Sequence, residues 1–274
     1  MQVFLLLVGV VLIFLLAGWL GLQIKPASFS AFPQRSLQPE IIPLPANLPP
    51  PVERFYRQLY GERVPVVTSA VMTGRGTLRL PSRGGIAFPG RFRFTHQAGQ
   101  GYHHYIEVTW FGFPLLKVNE HYLNSQSRFE LPFGVTENKP KVNQGANLAL
   151  WAESAFWLPS ILVTDPRVRW EPVDELSAAL FVPFGKTEER FAVHFDPDTG
   201  LLKSMESMRY HEATSSAKTL WRNEALAWKI VEGFNIAVMS ALTWEDEGTP
   251  WAVFTVEDVV YNVDVEQYIR AKGP

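Results

Sequence analysis

The chain has 274 residues and no cysteine. That absence excludes disulfides, thiolate zinc sites, cysteine nucleophiles and the lipidated cysteine of a bacterial lipoprotein. A surplus of one charge is also missing: 25 basic and 27 acidic residues leave a net charge of -2. A near-neutral balance speaks against a nucleic-acid binder, which carries a basic surplus on one face. The chain has no G-x-S-x-G elbow, no phosphate-binding G-x-x-x-x-G-K-[ST] loop and no H-E-x-x-H pair. "SSAK", Ser215 to Lys218, fits S-x-x-K only formally, because no K-T-G accompanies it. Nor do the six histidines form a ligand motif. His103 and His104 are adjacent in a predicted strand and so point to opposite faces. His96 and His121 can approach one of them across a sheet, which would make a metal site. The preferred reading is a solvated or hydrogen-bonded surface histidine, and neither a metal nor a cofactor is expected.

Apolar residues, by contrast, make up 47% of the chain, and nine are tryptophan. That is enough for one large core with wide aromatic surfaces. Val3 to Ile24 contains no charged residue. As a helix it would be roughly 33 Å long, sufficient for a hydrocarbon core of about 30 Å. Trp19 sits near one end, where an interfacial aromatic belongs. A cleaved signal peptide is the competing reading, but the run is long for one and no Lys or Arg precedes it. Residues 1–24 are therefore expected to be a single-pass membrane anchor. Lys25 and Arg35 follow the span and weakly favour a cytoplasmic C-terminal domain; two charges leave the side open. Residues 25–50 are proline-dense and read as an extended spacer. "PPPVERFYRQLYGE" then predicts a short helix, with Pro51 and Glu53 in its first turn and Phe55 and Leu59 facing the domain.

Residues 51–274 read as one antiparallel β domain. "RFRFT" alternates at Phe92 and Phe94, "YIEVTW" at Ile106, Val108 and Trp110, and "ERFAVHF" at Phe191, Val193 and Phe195. Turn signals separate such runs: "PSRGG", "QAGQG", "DPDTG" and "EDEGTP". About eleven strands are expected, too many for a flat open sheet, so the sheet should curl into a half-barrel or barrel. The main interruption is "ALWAESAFWLPSIL", a helix near 147–158 that is apolar almost all round. Asn147 is its expected N-cap and Pro159 its expected stop. A helix of this kind is buried on most sides, so the sheet should wrap around it.

Within that helix stands one acid, Glu153. A buried carboxylate must be neutralised or paired. Arg209, in an apolar-leaning strand, is the expected partner, and Asp174 is expected to extend the network. Glu153 and Asp174 could instead act as an acid–base pair in a hydrolase. The structural role is preferred, because nothing else supplies a nucleophile or an oxyanion site.

Glu153, Trp157 and Pro159, then Trp170 and Asp174, then Phe195, Asp196 and Gly200, then Arg209 and Tyr210 fall in ordered blocks. These blocks resemble those of an uncharacterised prokaryotic protein family of unknown function, whose members often carry an N-terminal membrane span. The resemblance covers about Asn143 to Asn262. It departs at Ala237, where a proline is expected after Ile236. It supports a fold unit and implies no reaction. The layout of anchor, curved sheet and helix also looks like lipoprotein-carrier folds, in architecture only.

The expected function is that of a membrane-anchored, non-enzymatic domain. It would hold an apolar or lipid-like ligand in the cup of its sheet, lined by Trp151, Phe156, Trp157 and Trp170. A closed-core structural or interaction module with no ligand is the alternative, and a hydrolase the third. Oligomeric state is left open.

Overall fold

The alternating runs become strands in this computed structural model, which describes residues 1–274. The first half contains α1 (Gln2–Gln23), β1 (Glu40–Pro43), α2 (Pro50–Tyr60), β2 (Arg63–Val66), β3 (Ser69–Leu80), β4 (Ile86–Gln97), β5 (Gly101–Trp110), β6 (Phe113–Leu123), β7 (Gln126–Leu131) and β8 (Gly134–Glu137). The second contains α3 (Pro140–Trp157), α4 (Ile161–Thr164), β9 (Arg169–Pro172), β10 (Ser177–Phe184), β11 (Thr187–Phe195), β12 (Leu202–Arg209), β13 (Thr219–Val231), β14 (Phe234–Trp244) and β15 (Pro250–Tyr261). A short 3-10 turn, Tyr268–Arg270, follows.

The protein is mainly β. Thirteen strands form one antiparallel sheet in the order β8-β7-β6-β5-β4-β3-β15-β14-β13-β12-β11-β10-β9. Two meanders, β3–β8 and β9–β15, join where β3 pairs with β15. The expected turns hold. In "DPDTG" the Asp196 carboxylate accepts from the backbone N–H of Asp198 and Thr199, and Gly200 supplies the left-handed φ of +71°.

The curl follows from one fact about α3. It touches β6 and β7 near one edge of the sheet and β10 and β12 near the other. Strands lie about 4.8 Å apart and a helix is about 10–12 Å wide, so a flat sheet could not meet it at both places. The sheet is therefore bent around α3 but stays open, because its edge strands β8 and β9 do not pair.

α3 is buried from Asn143 to Trp157. It begins earlier than expected. Pro140 occupies its first turn behind Lys139, so Asn147 is not the N-cap. The polar start is held by specific bonds: Asn143 Oδ1 accepts from Ser127 N–H at 2.9 Å, and Asn147 Oδ1 accepts from Tyr122 Oη at 3.0 Å. The helix stops before Pro159 as expected. Its end is sealed by three bonds, Trp157 Nε1 to Ala237 O, Tyr261 Oη to Trp157 O and Tyr56 Oη to Pro159 O, at 2.7–3.1 Å.

α2 forms as expected, with prolines in its first turn and Phe55 and Tyr56 buried. The 25–50 segment is more than an extended tether. It lies along the convex face, where Phe32 packs with Val71, Val263 and Val265. Arg91 Nη1 reaches Ala27 O at 2.9 Å, Leu37 N–H reaches Tyr261 O at 3.0 Å, and β1 pairs with β2. One helix, α1, is long and apolar enough to cross a membrane.

Candidate functional site

The β4–β5 hairpin aligns Phe94 with His104 and His96 with Tyr102. His96 and His104 are thus diagonal neighbours on one face, within reach of each other across the pair. That face is concave, because Phe92 and Phe94 share it and lie in the core with α3. Glu153 projects from α3 onto the two imidazoles. Its Oε2 stands 3.0 Å from His96 Nε2 and 2.8 Å from His104 Nε2, and the two nitrogens are 3.2 Å apart. All three residues are buried.

Aromatic rings hold the imidazoles in place. His104 lies between Tyr102, with centroids 3.8 Å apart, and Phe94, at 4.0 Å. His96 stacks on Tyr102 and meets the edge of Trp157. Glu120 comes within 4.0 Å of His104 Nδ1 and accepts a 2.6 Å hydrogen bond from Tyr102 Oη. Burial pushes the Tyr102 hydroxyl well up, so it remains a donor. Burial also pushes His96 down, toward the neutral ring. For Glu153, burial pushes upward, but His104 and His96 outweigh it and hold the carboxyl at about 2.

The expected partner of Glu153 is corrected. Arg209 makes no ion pair with it. Its guanidinium lies 4.3 Å over the Trp221 ring and 5.6 Å from that of Trp244, and its Nε meets no acceptor. Gly145 makes room for it, since a Cβ there would stand 2.9 Å from Nε. Burial pushes the Arg209 pKa down, while Glu120, Tyr102 and Glu153 pull it up without touching it. Asp174 is not part of the network either. It sits in the exposed β9–β10 loop, where it accepts from Leu176 N–H. The hollows beside Asp174 are lined by residues such as Glu175, His194 and Pro197, and Glu153 is not among them. Of the two carboxylates proposed for a hydrolase, Glu153 is buried in the core and Asp174 is exposed on a loop.

Trp151, Phe156 and Trp157 are 1–2% exposed and packed in the core. Trp170 is half-buried and donates to Leu162 O at 2.9 Å. The cup expected to hold a ligand is filled by α3.

His96 and His104, weighed from the sequence within a metal site but preferred as surface histidines, are both buried. The signal was present. An aromatic-x-histidine step recurs on each side of the "QAGQG" turn, at Phe94–His96 and Tyr102–His104. Hairpin pairing places both imidazoles on the Phe94 face. His121, weighed as a third partner, lies instead on the convex face with His103.

No curated protein matches the chain significantly. Among solved structures, a LolA superfamily protein from Nitrosomonas europaea is similar, with 8% identity and a TM-score of 0.46 over 81% of this chain and 96% of that one. A domain described as an outer membrane lipoprotein-sorting protein, from Vibrio parahaemolyticus, gives 12%, 0.44, 80% and 92% respectively. A DUF1329 family protein from Desulfovibrio piger ATCC 29098 gives 13%, 0.43, 72% and 87%. Likeness at this level transfers no function. Family membership rests on sequence: residues 42–256 match the model of a family of unknown function, DUF6544, and the chain belongs to that family.

Proposed function

We propose that the protein is a membrane-anchored, non-enzymatic domain that sits against the bilayer and engages lipid through the tip of its β5–β6 hairpin. One observation carries this reading: the tip is bonded to the last turns of α1. Trp110 Nε1 donates to Gly18 O at 3.1 Å, and Phe111 N–H donates to Gly21 O at 2.9 Å. Gly21 is required there, because a Cβ would collide with Trp110 and Phe111. The two-residue turn holds Phe111 at a φ of +52°, an uncommon conformation for an aromatic residue. With α1 in the membrane, Trp110 lies at the depth of the headgroups, where tryptophan is favoured. The adjoining apolar side chains are exposed, Phe113 at 75%, Leu115 at 61% and Ile86 at 57%. Such a patch favours membrane contact. An apolar or lipid-like ligand would meet the protein here, since α3 fills the cup.

The lack of cysteine makes the test direct. Phe113→Cys, labelled with an environment-sensitive fluorophore in the full chain in vesicles, should be quenched by spin-labelled lipid. Val173→Cys, in the exposed loop between β9 and β10, should not be. A Phe113 label that reports water would sink the proposal. The filled core favours a second reading, a closed structural or interaction module with no lipid ligand. Native mass spectrometry of the full chain separates the two: a stoichiometric co-purified lipid supports the first, a bare chain the second.

A further inference from the structure

We propose that His96, His104 and Glu153 form a binding site for one divalent transition-metal ion, with zinc(II) the best match. The proposal is independent of the bilayer contact. Its ligand atoms, two Nε2 and one Oε2, form a triangle with sides of 3.2, 3.0 and 2.8 Å. Ligand bonds of about 2.0–2.1 Å in a tetrahedral site put ligand atoms about 3.3 Å apart. The triangle is close to one face of such a site.

A metal-free account has difficulty with the protons. Oε2 is near both nitrogens but accepts no aligned hydrogen bond from either ring. The aligned contact joins the two Nε2 atoms, and it can hold one proton, donated in one direction. The carboxylate oxygen is then left buried without a donor, which is costly. A cation at the common focus of the three atoms satisfies them together.

The donor set selects the metal class. Two imidazoles and one carboxylate suit zinc(II), iron(II) or cobalt(II). Calcium takes six to eight oxygen ligands and magnesium a near-octahedral oxygen shell, and neither is offered here. Three protein ligands leave a fourth position for water or another small ligand. Glu153 gives the path inward, because its side chain stays 11% exposed while His96 is sealed. The support is built as well: Phe94 and Tyr102 clamp His104, and Glu120 stands behind its Nδ1. His96 Nδ1 has no such partner, and its ring is held by Tyr102 and Trp157 instead.

The test uses the full chain in detergent, stripped with chelator and titrated with cobalt(II) and zinc(II). The wild type should take up one equivalent, show intense tetrahedral cobalt absorption and lose it to zinc. Glu153→Gln and His96→Asn should each weaken zinc binding by on the order of tenfold or more, while His211→Gln binds as the wild type does. If both site variants fail to fold, the wild-type cobalt spectrum and a zinc-dependent rise in melting temperature decide alone. Substoichiometric uptake, a weak octahedral-type spectrum, or unchanged affinity in a folded Glu153→Gln protein would overturn the proposal.

Discussion

Two pairs of histidines share strand β5 and face opposite ways, the inner pair reaching across to β4 and the outer pair to β6. The outer pair, His103 and His121, is directly cross-strand on β5 and β6, with stacked rings 4.3 Å apart. Each has a backbone carbonyl to bond: Tyr268 O for His103 at 3.2 Å and Ala271 O for His121 at 2.9 Å. The Asn119 side-chain amide lies 3.0 Å from the second nitrogen of His103. The outer pair therefore clasps the C-terminal tail against the convex face. The inner pair, His96 and His104, meets no carbonyl. Its Nε2 atoms face each other and a carboxylate. Histidine chemistry here is set by which acceptors surround the ring. One pair finds neutral oxygens and becomes a clasp; the other finds an ionised one and becomes a candidate ligand set.

The contrast can be broken most forcefully at His104. His104→Ala empties the slot between Phe94 and Tyr102 and should cost about 3 kcal/mol, as large-to-small core changes do. Urea unfolding measures it, and an equal loss from His103→Ala would erase the distinction. A smaller effect is expected from removing residues 267–274. That deletion takes away both carbonyls and the buried Ile269, and should cost about 1–2 kcal/mol while leaving cobalt uptake unchanged. His121→Gln should cost only about 1 kcal/mol, the usual worth of one hydrogen bond. Its readout is faster proteolysis of the tail. The smallest effect concerns Arg209. A double-mutant cycle of Glu153→Gln with Arg209→Gln should show a coupling below about 0.5 kcal/mol, because the two side chains do not touch. A large coupling would restore the ion pair first expected from the sequence.

Much of the scaffold was legible because it depends on local chemistry. Alternating Phe92 and Phe94, or Phe191, Val193 and Phe195, cannot bury one face except as strands. Asp196 to Gly200 carries its own turn bonds, and Pro159 cannot continue a helix. The 25–50 segment misled because proline density describes stiffness and says nothing of surfaces. Phe32 is buried only because Val71 and Val263, far apart in sequence, leave a hollow for it. Glu153 is buried, but it stands against His96 and His104 and not against the arginine expected from the sequence. Arginine is the usual counterpart of a buried carboxylate, and Arg209 does lie in an apolar strand. It turned instead to the faces of Trp221 and Trp244, where a guanidinium is well held.

Local residue patterns set the apolar span of α1, the period-two strands, their turns and a helix too greasy to lie in water. Each of these is decided by residues a few positions apart, through steric limits on φ and ψ or through the burial of one face. That β3 pairs with β15, that the open sheet bends around α3, and that Glu153 meets His96 and His104 follow from the packing of the whole chain. Those outcomes join residues tens to hundreds of positions apart. Such contacts depend on how a curved sheet and a buried helix fill space together, which no local pattern encodes.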